Sequence, residues 1–145
     1  MRPECPQTDH HLGQLHFLIG SVHAIHKGDN EEAMRWYEKA LPRLKKTYPA
    51  SLMDERGMTG EQLVSVGVLL WETGRRDEAV VVTEKGTDRM LAAVAAGTLE
   101  DTTLAVPYQN LAIMQRKLGN LKKAESLADR AARFESGDSD TTKRR

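Results

Sequence analysis

The sequence predicts an all-α protein made of three successive helical hairpins, and three observations lead there. A Gly-x4-Ala frame recurs as Gly28 with Ala33, Gly74 with Ala79, and Gly119 with Ala124. The frame alanines lie 46 and 45 positions apart (79 − 33 and 124 − 79). A helical apolar pattern precedes each glycine and another follows each alanine, so every frame marks a helix, a turn and a second helix.

Each frame position has a physical task. The glycine takes the left-handed conformation that ends a helix without a Cβ clash. The polar residues behind it, Asp29 and Asn30 or Asn120, suit the N-cap of the next helix. The alanine falls where two helices cross closely, and a larger side chain there would hold them apart. First helices are expected at 10–27, 59–73 and 102–118, and second helices at 30–48, 76–96 and 121–135. Pro107 falls inside the last of the first helices, so that helix either starts near Ala105 or bends there. The domain expected is 10–135, with units 10–48, 59–96 and 102–135. A flexible N-terminus (1–9), linkers at 49–58 and 97–101, and a polar, disordered tail (136–145) complete the chain.

Composition narrows function by exclusion. Lys plus Arg equal Asp plus Glu at 21 each, which removes the bulk-charge argument for nucleic acid or an anionic membrane surface. No apolar run approaches a membrane span, and no secretory signal precedes the first helix. The one cysteine, Cys5, suits a reducing cytoplasm.

Catalytic and metal chemistry are not expected. The five histidines, His10, His11, His16, His23 and His26, have no Cys, Asp or Glu at a spacing that would complete a tetrahedral site. Glu31, Glu32, Asp77 and Glu78 stand in first helical turns, where carboxylates meet the helix dipole favourably. Phosphate-binding loops, nucleophile elbows and dinucleotide fingerprints are missing. No cofactor is expected, and no enzymatic activity.

The repeat pattern resembles the tetratricopeptide repeat. Counting from each frame alanine, the bulky position of the first helix holds Phe17, Leu63 and Tyr108, and the small position holds Ser21, Gly67 and Ala112. The second helix matches at Ala40, Gly86 and Ala131. At the aromatic position it matches at Tyr37 and departs at Thr83 and Ala128. The closing proline of the family is absent. The standard unit is about 34 residues, so these longer units are more similar to the extended repeats of kinesin light chain and of large bacterial serine/threonine kinases.

The resemblance implies a right-handed α-solenoid whose first helices line a concave groove for a protein or peptide partner. Carried onto this chain, the groove positions are Leu15, Leu18, Val22, Ile25 and His26 in the first unit. Glu61, Val64, Val68, Trp71 and Glu72 follow in the second, and Gln109, Ile113, Arg116 and Lys117 in the third. The groove is then apolar through two units and cationic at its end, so the partner should offer apolar side chains. The carboxylate-gripping Lys/Asn clamp of some members is missing. Trp71 is the expected anchor, since a half-buried Trp is a frequent hot spot, whereas Trp36 is expected in packing.

The first helix carries more apolar surface than one neighbour needs. Leu12, Leu15, Leu18, Ile19, Val22 and Ile25 form a stripe beside the one that faces the second helix. Three readings stay open: adjacent helices and the chain ends cover the stripe, a partner fills it as part of the groove, or it makes a homodimer.

Overall fold

The computed structural model describes residues 5–48 and 58–137. Among them the chain is all helical, with no strand. Helices α1 (Pro6–Val22), α2 (Asn30–Leu44), α3 (Met58–Glu72), α4 (Arg76–Ala95), α5 (Ala105–Lys117) and α6 (Leu121–Glu135) follow in order. A π turn, His23–Lys27, extends α1, and a 3-10 turn, Asp101–Leu104, leads into α5. The helices pair as α1–α2, α3–α4 and α5–α6, and each hairpin packs on the next through α2–α3 and α4–α5. This is an α-solenoid of three hairpins.

The frame residues act as their types dictate. Gly28, Gly74 and Gly119 have φ of 63°, 89° and 86°, a left-handed turn that other residues rarely adopt. Ala33, Ala79 and Ala124 are almost fully buried at the helix crossings. The closest crossing is in the second hairpin, where a Cβ on Gly86 would lie 2.6 Å from the carbonyl oxygen of Gly60. Asp29 caps α2 by accepting the Glu32 N–H at 3.0 Å. Asn120 does not cap α6; its side-chain amide donates to Gln115 Oε1 at 2.7 Å instead.

Two helix ends differ from the sequence expectation. The first helix starts at Pro6 rather than near residue 10, because proline suits a first helical position and Asp9 anchors the turn. Asp9 is buried, with Arg43 Nε at 2.9 Å, Lys46 Nζ at 2.6 Å and the Tyr48 hydroxyl at 2.9 Å. Residues 6–9, expected to be flexible, are therefore helical. Helix α2 stops at Leu44, two residues after Pro42, not at 48. That lets Tyr48 turn back onto Asp9. The third unit's first helix takes the straight alternative, starting at Ala105 with Pro107 in its first turn. Residues 1–4, most of the 49–58 linker and the tail from 138 lie outside the described residues.

The core runs along the stack. One cluster joins Tyr37, Leu41 and Leu44 to Leu63, Val66, Leu70 and Val82, and reaches Leu111 and Met114. A second joins Val64 and Met90 to Leu104, Tyr108 and Ala131. Leu63, Leu70 and Leu104 are completely buried, each worth roughly 1.5–3 kcal/mol. No helix among the described residues is long and apolar enough to cross a membrane.

Candidate functional site

The expected groove residues sit on first helices whose phase is set by glycines. In α3, a Cβ on Gly67 would meet Thr83 and the Ala79 carbonyl oxygen at 3.1 Å. In α1 the residue in that situation is Gly20, which faces Tyr37 and the Ala33 carbonyl oxygen, also at 3.1 Å. Since Thr83 and Tyr37 each follow their frame alanine by four positions, Gly20, not Ser21, is the counterpart of Gly67.

The turn confirms this register independently. Arg75 N–H bonds to the Leu70 carbonyl and Asn120 N–H to that of Gln115, spans of five residues. In the first unit Asp29 N–H bonds to the His23 carbonyl, a span of six. Eight residues separate Gly20 from Gly28, against seven from Gly67 to Gly74 (28 − 20 and 74 − 67). Both ends of that stretch are pinned, one by the helix crossing and one by the glycine turn. The extra residue is taken up inside the helix as the π turn, the usual form of such an insertion.

The shift redistributes the first unit's expected site. Leu15 corresponds to Gln62 and Pro107, and Val22 to Leu69 and Met114, all four of which are buried against the preceding hairpin. Leu18 corresponds to Ser65 and Asn110, and Ile25 to Glu72 and Lys117, mostly exposed positions on the first helices. All four aliphatics of α1 are exposed, from 47% at Val22 to 76% at Ile25. Leu12 and Ile19 of the same stripe are half-buried, so the described neighbours cover it only in part.

The other expected residues divide between core and surface. Val64 is 6% exposed and belongs to the second core cluster. Its edge reaches a cleft of about 260 Å³ shared with Glu61, Ser65, Met90, Thr103, Val106 and Pro107. Val68 is partly buried; Trp71 packs on the first cluster, with the Arg76 guanidinium 5.1 Å from its ring centre. Gln109 bonds Glu135, Ile113 is 55% exposed, and Arg116 and Lys117 are exposed. Gln62 donates to Gln14 Oε1 at 2.5 Å, a link from α3 to α1. Trp36 is half-buried, its indole donating to Glu32 at 3.1 Å and its ring 5.7 Å from that of His16.

Electrostatics brace the stack more than they shape this face. Arg75 pairs with Glu38 across the first two hairpins, and Lys123 with Glu84 at 3.0 Å across the last two. Burial raises the Tyr48 hydroxyl to about 12, reinforced by its hydrogen bond to Asp9. Arg89 donates to the Leu44 and Lys46 carbonyls, and burial pulls its guanidinium below the usual arginine value. Among the described residues no cluster of three or more His, Cys, Asp or Glu could hold a metal ion.

These features define a helical-repeat protein. More particularly, residues 13–41, most of the first hairpin, match the family model of the tetratricopeptide repeat. Repeats of this kind generally mediate protein–protein interaction and are typically not catalytic. No curated protein matches the chain. The register also shows what counting back from the alanines misses: Gly13 and Gly20 recur as Gly60 and Gly67, 47 positions on, while the alanines recur at 46 (60 − 13, 67 − 20 and 79 − 33).

Proposed function

We propose that this protein is a non-catalytic interaction scaffold that holds an apolar partner segment against the adjacent first helices α1, α3 and α5. The observation that carries the reading is a set of exposed or half-buried apolar side chains on all three first helices. It comprises Leu18 and Ile25 on α1, Val68 and Trp71 on α3, and Ile113 on α5, and it ends at exposed Arg116 and Lys117. Accessible aliphatics and a braced Trp supply contact area, while the two cations orient the segment. The partner would offer apolar side chains; neither nucleic acid nor a membrane is required. An exposed Cys5 thiol fits a reducing, cytoplasmic setting. The spacing of the units supports kinship with the extended repeats of kinesin light chain and of large bacterial kinases.

The test is cross-linking of the chain to its partners in native extract, identified by mass spectrometry, with a Leu18→Glu/Lys117→Glu variant alongside. Both positions are exposed, so the fold is retained. Loss of the wild-type partners is expected, and an unchanged partner set would overturn the reading.

A further inference from the structure

The two ends of the stack carry complementary halves of one junction. On α3, the residues Thr59, Gln62, Leu63, Val66, Leu69 and Leu70 are all buried. Their counterparts in the third hairpin, Leu104, Pro107, Tyr108, Leu111, Met114 and Gln115, are buried too. The corresponding residues of α1 are Leu12, Leu15, His16, Ile19, Val22 and His23, and none of them is buried. What the second and third hairpins bury against a preceding hairpin, the first hairpin leaves half-buried or, at Leu15 and Val22, exposed.

The opposite end presents the matching receptor. The second hairpin receives α5 through Val64 and Met90, which pack with Leu104 and Tyr108. The third hairpin has Gln109 and Glu135 at those positions (64 + 45 and 90 + 45). There α5 and α6 leave a cleft of about 300 Å³, lined by Ala112, Ile113, Ala128, Ala131, Ala132 and Glu135 among others. The α6 side of this cleft is alanine where α1 offers large aliphatics, the size relation that lets ridges enter grooves.

Polar changes match across the junction as well. His16 stands where α5 has Tyr108, and Glu135 stands where α4 has Met90, so the contact between Met90 and Tyr108 becomes one between a carboxylate and an imidazole. Packing α1 against another α1 offers no such match, because residues 10–27 contain no Asp or Glu.

We infer that this chain assembles head to tail, the α1 end face of one copy docking into the α5–α6 cleft of the next and continuing the packing already made by α2–α3 and α4–α5. Such a contact is heterologous, so it extends beyond a dimer unless it closes into a ring. It uses Leu15 and Val22, distinct from the Leu18 and Lys117 of the partner-binding test.

Sedimentation velocity over a micromolar-to-millimolar series tests this, with circular dichroism confirming the fold of each variant. The wild type is expected to grow past the dimer. A Leu15→Glu/Val22→Glu variant and an Ala132→Glu variant should each be monomeric. Mixed in equal amounts they should form a one-to-one heterodimer, because one competent junction remains. A wild type that stays monomeric, a mixture that stays monomeric, or an Ala132→Glu variant that still dimerises would overturn the proposal. Hydrogen exchange of the wild type at low and high concentration reads the same point without substitutions. Protection should rise together in α1 and α6, and a rise in α1 alone would sink the head-to-tail arrangement.

Discussion

Helices α1 and α3 do the same work toward their own second helices and opposite work toward what precedes them. Both cross their partner helix at a glycine, Gly20 and Gly67, against a frame alanine and the residue four positions later. On the other side, α3 buries Leu63 and Leu70 completely, while α1 has His16 and His23 there, only partly buried. These two positions hold leucines in the second hairpin and buried Tyr108 and Gln115 in the third, while the imidazoles of the first stay half-buried. Position in the stack, not position in the repeat, decides the residue.

Exchanging the residues breaks this contrast, and the largest effect is expected inside the stack. Leu70→His would place an imidazole in a fully buried aliphatic site and should cost about 4 kcal/mol in urea unfolding; a cost below about 1 kcal/mol would show that the second junction is loose. An intermediate effect is expected at the start of α1. Asp9→Ala removes the acceptor shared by Arg43, Lys46 and Tyr48, and should cost about 2 kcal/mol. Amide exchange should speed up mainly over the first turns of α1, and uniform acceleration across all three hairpins would contradict a local latch. The smallest effect is the reverse exchange. His23→Leu should change the stability of the dilute monomer by less than about 1 kcal/mol, and a loss as large as that of Leu70→His would mean that the face is packed after all.

Much of this organisation is legible in the residues. The glycine turns, the alanine crossings and the number of hairpins follow from the frame, because only small or Cβ-free residues meet those demands. The start of α1 was harder to read. Proline at position 6 suits a helix start, yet the helix depends on Asp9 meeting Arg43, Lys46 and Tyr48, more than thirty residues away. The candidate surface was legible in type and misread in phase. The apolar character of α1 is plain, but assigning Leu15 and Val22 to the same face as Leu18 and Ile25 assumed a constant distance to the frame alanine.

The sequence by itself determined three Gly-turned hairpins and the apolar excess on the first helix, because stops, close crossings and amphipathic stripes depend on local residue type. Only the tertiary structure decided which way that excess points. One additional residue between Gly20 and Gly28 is absorbed as a π turn, and each residue in a helix turns its side chain by about 100°. A one-residue slip therefore moves Leu15 and Val22 from the inner row of first helices to the end of the stack, a difference set by packing against Tyr37 and Ala33.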